Sequence, residues 1–286
     1  MKSYKKIGIW GLGAVACFGV MVAGFYLGEF GAKKSGRIID EKVVAFRVEE
    51  PKEFVDYDMG SLLEYLKCKY EKDGYKVKEF AYLGDLYPDR LNNAGVNVFA
   101  RGQQISYDKR YIDEAYNVYL VHRFVGGHLE EFRNFDGYMS SQIDLVAAAR
   151  EKDLNMEHLE AGACEREKLP FNKEAKDVIY IYEAVRPGII EHFGYKGIEV
   201  KSFSSMKFNN LSLEEKEKIL TDAKVVIYDC DMVSLSIAKY LPFAVHNLLS
   251  FGRPVLTNWR RDIKRDLKGL EFFINFDDLA NKINKY

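Results

Sequence analysis

The residues best suited to chemistry follow two predicted strands in the last third of the chain. Asp229 and Asp231 come directly after the apolar run Val225–Tyr228, and Thr257 and Asn258 end the next run along the chain. Carboxylate oxygens suit hard divalent cations, whereas hydroxyl and amide groups hydrogen-bond polar ligands. Aspartates after a strand also cap the following turn. Metal binding, turn capping and direct ligand contact therefore all stay open.

Basic and imidazole side chains follow other predicted strands. Arg101, His122 and Arg186 each come at or just after a strand, and His128 follows a glycine pair. A guanidinium group binds phosphate through its planar fork of donors, and a histidine can serve as a general base near neutral pH. Surface ion pairs for the arginines and structural roles for the histidines are the alternatives.

The elements that position these residues alternate between strands and helices. Strands are predicted at Lys42–Val48, Tyr75–Tyr82, Asn97–Ala100, Asn117–Val121, Gly137–Ser140, Met156–Leu159, Asp177–Tyr182, Ile198–Phe203, Val225–Tyr228, Val255–Thr257 and Glu271–Phe276. Helices are predicted at Gly60–Tyr70, Gln142–Lys152, Pro187–Phe193, Leu213–Ala223, Phe243–Phe251 and Asp277–Lys285. This alternation predicts an α/β fold with mainly parallel sheets, in which ligands bind at the carboxyl ends of the strands.

Two helix ends carry local signatures. Ser212 followed by Glu215 forms a capping-box pattern at a helix start. Gly252 comes where a helix needs a left-handed residue, and Pro254 prevents the helix from continuing. The stretch 170–176 (PFNKEAK) is predicted to link two halves of the chain.

The N-terminal region predicts a membrane anchor. Residues 7–28 contain no charged side chain, and as a helix they would span about 33 Å, enough for a bilayer core. The spacing of Gly11, Gly13 and Ala16 also imitates a dinucleotide-binding turn, but Asp40 falls too far along the chain, and a separate α/β pattern starts at residue 42. An uncleaved anchor is favoured, with a buried core helix or an edge strand as further alternatives. The catalytic part is expected on the cytoplasmic side, although flanking lysines leave the orientation open.

Composition excludes some partners. The chain has 286 residues and a formal net charge of −1, without the basic excess typical of nucleic-acid binding. Its four cysteines form no CxxC pair, so they indicate neither a zinc site nor a dense disulfide framework. A reducing compartment is favoured.

A series of motifs carries a resemblance to a known family. These are D-A-K-V-V-I-Y-D at 222–229, L-L-S-F-G-R-P-V-L-T at 248–257, D-I-K-R-D-L at 262–267 and F-D-D-L-A-N-K-I at 276–283, with weaker matches N-V-F-A-R-G at 97–102 and F-D-G-Y-M-S-S at 135–141. In this order of parts, residues 42–286 resemble the CgeB-like, spore-coat type glycosyltransferases of GT-B fold. The resemblance implies two Rossmann-like halves, with an acceptor-side domain at 42–170 and a donor-side domain at 171–286. Residues 1–41 are predicted, from their own pattern, to be the anchor and linker.

The resemblance also implies site roles. It matches Arg101 to an R-G pair of the family. Together with the positions after predicted strands, it gives His128, His122 and Arg101 as predicted catalytic residues. The predicted donor-binding residues are Arg186, Asp229, Asp231, Asn247, Gly252, Thr257 and Asn258. Two positions depart from the family. Asn247 stands where relatives often carry an acidic residue, and Ala244 stands where they commonly carry arginine.

The function expected from the resemblance is transfer of a sugar from a nucleotide-sugar donor to a glycan, lipid-linked or protein acceptor. No cofactor is expected, and a divalent metal is not favoured. The alternatives are a GT-B-like binding or scaffold protein that has lost activity, and a metal-dependent GT-A enzyme that uses Asp229 and Asp231. The departures at Asn247 and Ala244 favour the first of these alternatives.

Overall fold

The computed structural model describes residues 40–48, 55–82, 94–101, 115–122, 135–170, 172–231, 241–258 and 267–286, without the side chains of residues 79–82 and 101. The predicted anchor at 7–28 and the predicted catalytic residue His128 lie outside these ranges. Within them, no helix is long and apolar enough to cross a membrane.

The first half of the described chain builds a parallel sheet. Its elements are β1 (Asp40–Val48), α1 (Tyr57–Lys72), β2 (Lys76–Tyr82), β3 (Ala94–Arg101), β4 (Tyr116–Val121), β5 (Gly137–Ser140), α2 (Ile143–Arg150) and β6 (Met156–His158). The six strands lie in the order β2-β1-β3-β4-β5-β6, and every neighbouring pair is parallel. Parallel strands need covered faces, which explains the nearly continuous apolar runs in β1 and β4.

The second half builds another parallel sheet. Its elements are β7 (Asp177–Tyr182), α3 (Ile189–Tyr195), β8 (Val200–Ser204), α4 (Ser205–Asn209), α5 (Leu213–Thr221), β9 (Ala223–Asp229), α6 (Phe243–Ser250), β10 (Val255–Thr257), β11 (Leu270–Phe272) and α7 (Phe276–Ile283). The strand order is β11-β10-β9-β7-β8, again all parallel. One face packs on α3 and α7 through a core that includes Phe193, Ile227 and Leu279.

The predicted α/β class with mainly parallel sheets is confirmed. Differences occur at element ends, and each has a local cause. Helix α1 begins at Tyr57 rather than Gly60, because the Asp56 side chain accepts a hydrogen bond from the Met59 amide and caps the helix there. Strand β11 ends at Phe272 rather than Phe276, because Asn275 caps the last helix.

Other helix boundaries follow the predicted signatures. The capping box of Ser212 and Glu215 is present at the start of α5, as predicted. Gly252 adopts φ +81° after α6, which confirms the predicted left-handed residue. The short helix α4, which the sequence analysis did not predict, starts at a Ser204 cap.

Helix α1 belongs to the first half but packs on the second. The Tyr57 amide donates to Ser205 Oγ at 2.7 Å, and Asn209 Nδ2 donates to the Val55 carbonyl at 3.1 Å. The described residues from Asp40 onward belong to one compact unit. The disulfide Cys68–Cys164, with Cα atoms 5.8 Å apart, ties α1 to the segment that leads into the second half. The spacing of the cysteines in the sequence did not predict this bond.

Candidate donor site

The carboxyl ends of three strands meet at one edge of the second sheet. Tyr182 of β7 pairs with Asp229 of β9, and Thr257 of β10 pairs with Tyr228 of β9. This register brings the residues after each strand side by side. Open parallel sheets bind ligands at such an edge.

Asp229 is buried at the end of β9, with only 1% of its surface exposed. The Tyr180 hydroxyl donates to Asp229 Oδ2 at 2.6 Å, and Arg186 Nη2 lies 2.9 Å from Asp229 Oδ1. Burial raises the pKa of Asp229 to about 6, against the opposing effects of Tyr180 and Arg186. The carboxylate is thus held by two partners in a poorly solvated position.

Arg186 reaches this edge from the turn between β7 and α3. Its Nη2 also donates to the carbonyl of Cys230 at 2.9 Å, and its side chain is 27% exposed. The Nε and Nη1 donors hydrogen-bond to none of the residues that the structure describes. The guanidinium is therefore fixed at one nitrogen and offers its other donors for a ligand.

Glu183 shapes the same edge, although the sequence analysis did not select it. The Tyr228 hydroxyl donates to Glu183 Oε1 at 2.7 Å, and the Asp231 amide donates to Glu183 Oε2 at 3.0 Å. Its position one residue beyond the predicted strand Asp177–Tyr182 was a usable signal, because residues after parallel strands line the ligand edge.

Thr257 and Asn258 hold β10 against β9. Asn258 Oδ1 accepts from the Cys230 amide at 2.8 Å, while its Nδ2 donates to the Cys230 carbonyl at 2.9 Å. Thr257 is fully buried, and its Oγ1 lies 3.9 Å from Cys230 Sγ. Both residues lie at the predicted edge, where they fix the backbone around Cys230.

The D-x-D pair does not present two open carboxylates. Asp229 is paired with Tyr180 and Arg186, whereas Asp231 is half-buried beyond the strand end. Among the described residues, no group of three or more His, Cys, Asp or Glu side chains has the arrangement of a metal site.

Asn247 and Ala244 lie on α6, where that helix packs against α1. The Tyr57 hydroxyl donates to Asn247 Oδ1 at 2.8 Å, and Asn247 Nδ2 donates to Glu64 Oε2 at 2.8 Å. Asn247 is 2% exposed, so both ends of its amide are used inside the protein. The Ala244 amide donates to Asp58 Oδ1 at 2.9 Å, which places a carboxylate from α1 at the start of α6.

His122 follows β4 and is buried in the same region. Its Nε2 lies 3.1 Å from Asp58 Oδ2, and its ring contacts the Phe243 ring edge-on, with centroids 6.4 Å apart. Arg101 ends β3, in register with Val121 of β4, so its backbone lies near that of His122. The structure thus brings two of the three predicted catalytic positions to the carboxyl edge of the first sheet.

Gly252 and Arg253 form the turn between α6 and β10. A Cβ at Gly252 would lie 3.1 Å from Cβ of Lys168, so the turn packs closely on the segment between the two sheets. Arg253 is buried and donates to the carbonyls of Leu220, at 2.6 Å, and Pro170, at 2.7 Å. This turn joins α5, α6 and the connecting segment.

A separate cavity of about 750 Å³ opens at the opposite, amino edge of the second sheet. It is lined by Asn172, Glu174, Ala175, Lys176, Asp177, Lys201 and Asp222. None of the predicted site residues lines this cavity. Lys201 and Asp177 form an ion pair with each other there.

Comparison with known proteins shows a distant structural likeness to solved structures. The sequence matches no protein-family model, and no curated protein matches it. A solved structure of the wall teichoic acid polymerase TagF, soaked with CDPG, is similar over 86% of this chain and 79% of that chain, with 12% identity and a TM-score of 0.42. Neither the fold nor the site described above depends on this likeness. The chain folds as an α/β protein with two parallel sheets, and polar residues lie at the carboxyl ends of the strands of the second sheet.

Proposed function

We propose that this protein is a GT-B-type glycosyltransferase that binds a nucleotide-sugar at the carboxyl edge of its second sheet. The acceptor is a glycan, lipid-linked or protein hydroxyl group. Support comes from the motif order that resembles CgeB-like enzymes and from the pair of parallel sheets. The polar edge around Arg186 and Asp229 supplies the binding chemistry.

The observation that carries the proposal is the placement of Arg186. Its Nη2 is held by Asp229 and the Cys230 carbonyl, while its other donors face no partner among the described residues. A pre-positioned guanidinium loses little entropy on binding and can stabilise the negative charge of a diphosphate. A leaving nucleoside diphosphate is the group that most needs such stabilisation.

His122 is our candidate for the acceptor base, with Asp58 as its orienting carboxylate. His122 Nε2 lies 3.1 Å from Asp58 Oδ2, a distance at which the carboxylate would stabilise the imidazolium formed when His122 takes a proton. Because His122 is buried at 3% exposure, an acceptor could reach it only after the residues packed around it move. The roles of Arg101 and His128 stay predictions.

A second candidate function is nucleotide binding without sugar transfer. Asn247 and Ala244 depart from the family pattern, and both are engaged by α1 residues rather than facing an open site. A protein that keeps Arg186, but whose α6 residues Asn247 and Ala244 are covered by α1, would bind a nucleotide and lack a complete transfer site. The metal-dependent GT-A alternative is less favoured, because Asp229 already pairs with Arg186.

The expectations about membrane, location, cofactor and nucleic acid rest on the sequence alone. Attachment to a membrane through residues 7–28, a cytoplasmic location of the catalytic part and the absence of a cofactor stay predictions. No nucleic-acid partner is proposed, since the formal net charge is −1.

The test is thermal unfolding of the 286-residue chain with UDP, GDP, CMP and TDP, each with EDTA or with Mn²⁺. A ligand that binds only the native state raises the unfolding midpoint. We expect one nucleotide to raise it in EDTA and the variant R186Q to abolish the shift, with K207Q as a matched surface control. A shift that requires Mn²⁺ would favour the metal-dependent alternative, and no shift with any nucleotide would contradict the proposal.

Binding and transfer are separated by a second measurement. The protein is incubated with the sugar donor that corresponds to the nucleotide it binds. Release of the free nucleotide is then followed with and without added glycan. Release above background supports a transferase. Binding without release would favour the second candidate function.

A further inference from the structure

Arg186 and Asp229 form an ion pair in which only one partner is accessible to solvent. The Asp229 side chain is fully buried, while the Arg186 side chain is 27% exposed. An anionic ligand can therefore approach the guanidinium from the solvent side, with the carboxylate of Asp229 on its other side. Two negative charges would then share one guanidinium.

The charged and titratable groups around Asp229 make this sharing costly. Tyr180 of β7 donates its hydroxyl to Oδ2, and Arg186 is the cation that acts on the carboxyl group among the described residues. Glu183, directly after β7, adds a negative charge that disfavours the ionised form. Asp231 lies two residues further along the chain from Asp229. An added phosphate would increase the repulsion within this group.

Asp229 has an oxygen available for a proton. Its Oδ1 contacts Arg186 as an ion pair but accepts no hydrogen bond of good geometry from the described residues. Protonation at Oδ1 would leave the bond from Tyr180 to Oδ2 in place. The pKa of Asp229, raised to about 6 by burial, already brings protonation close to neutral pH.

We propose that Asp229 is an internal counter-ion of Arg186, and that a diphosphate ligand binds to Arg186 with uptake of one proton from solvent by Asp229. This inference rests on the proposed donor site and adds to it a proton-linked control of affinity. When the ligand arrives, the Nε and Nη1 donors of Arg186 bind phosphate oxygens, while Nη2 keeps the Cys230 carbonyl and remains beside Asp229. The proton neutralises the Asp229 carboxylate, which removes its repulsion with the phosphate across the shared guanidinium.

The linkage predicts a definite pH profile. Between the pKa of Asp229 in the free protein and its higher pKa in the complex, Kd rises up to tenfold per pH unit, because one proton enters with each ligand. Below both values the affinity is constant. The ligand must hold a constant charge over this range, and the diester diphosphates of nucleotide-sugars do.

The experiment is isothermal titration calorimetry of the 286-residue chain with UDP-glucose, GDP-mannose and dTDP-glucose at pH 5.5, 6.5, 7.5 and 8.5. Repeating each titration in two buffers of different ionisation enthalpy counts the protons taken up. The variants are D229N, which keeps an acceptor for Tyr180 but cannot titrate, and the surface control D144N. We expect wild type and D144N to lose at least tenfold in affinity from pH 5.5 to 8.5 with proton uptake, while D229N binds with a constant Kd.

Two outcomes would overturn the inference while leaving the proposed function in place. One is a wild-type Kd that does not change with pH, and the other is an unchanged pH profile in D229N. If none of the three ligands binds wild type or D229N at any pH, the proposed donor site for these nucleotides is wrong, and the inference falls with it.

Discussion

The carboxylate of Asp58 in α1 accepts a hydrogen bond from the backbone amide of Ala244, 186 residues further along the chain, at 2.9 Å. Pro242 precedes α6 and supplies no side-chain cap. Asp58 therefore serves as the cap of a helix in the other half of the protein. This contact couples the first turn of α6 to the position of α1.

The variant D58A should destabilise the protein by about 1–3 kcal/mol, because it leaves a buried amide of α6 without its acceptor. D58N retains an oxygen for the Ala244 amide but removes the charge that faces His122, so its loss should be smaller. Chemical denaturation measures both variants. Equal losses for D58A and D58N would show that the pair with His122, rather than the cap, supplies the stability.

The variant N247D places a carboxylate beside Glu64 Oε2, which now accepts from Asn247 Nδ2 at 2.8 Å. Two carboxylates at this distance repel each other, so we expect a loss of about 2 kcal/mol at pH 7.5 that decreases toward pH 5 as one of them takes up a proton. The unfolding midpoint as a function of pH measures this effect.

N247A is the matched control for that experiment. It removes the same hydrogen bonds and adds no charge, so its loss of stability should not depend on pH. If N247D is as stable as wild type at pH 7.5, then α1 and α6 separate readily, and the acidic residue of the family can be restored at this position.

Asp229 should make the protein less stable at neutral pH than at mildly acidic pH. Its pKa is raised to about 6 in the folded state, so the folded protein binds more protons than the unfolded chain between the ordinary pKa of an aspartate and about 6. This contribution to stability is present at low pH and is lost as pH rises through 6. D229N should therefore be more stable than wild type at pH 7.5, by an amount of order 3 kcal/mol.

The measurement is guanidinium denaturation of wild type and D229N at pH 4.5, 6 and 7.5. In the difference between their free energies of unfolding, the contributions of the other titrating groups cancel. The advantage of D229N should shrink steadily as pH falls. A D229N variant that is less stable than wild type at pH 7.5 would mean that the ion pair with Arg186 outweighs the cost of burial.

Several features of this fold could be predicted from local sequence patterns. Runs such as Val225–Tyr228 contain β-branched residues that suit a strand covered on both faces, and Gly252 and Ser212 carry the signatures of helix ends. The carboxyl edge with Asp229 and Asn258 followed from the same strand ends. These signals depend only on neighbours along the chain, which is why they could be recognised.

The contacts across α1 and α6 could not be predicted in this way. Tyr57 and Asn247 are 190 residues apart, and the partner of each depends on how two complete sheets pack together. No residue near Asn247 indicates that its amide is used internally. The hydrogen bond from the Tyr180 hydroxyl to Asp229 could not be predicted either, because a tyrosine in a buried strand is most simply explained as a core residue.

Reduction of Cys68–Cys164 should lower the stability by about 4 kcal/mol, because the bond closes a long loop and restricts the unfolded chain. Thermal unfolding with and without dithiothreitol measures the loss. The double variant C68S/C164S should match the reduced protein and show no further response to reductant. A response in the double variant would assign the effect to another group.

The same bond changes what a break in the backbone would do. The chain between Cys68 and Cys164 contains β2 through β6, so cleavage anywhere in that interval would give two peptides still joined by sulfur. Such a nicked molecule would migrate as one species on a non-reducing gel and as two after reduction. Cleavage after residue 164 would separate the pieces under both conditions. The gel pattern of a protease digest thus maps the cut relative to the two cysteines.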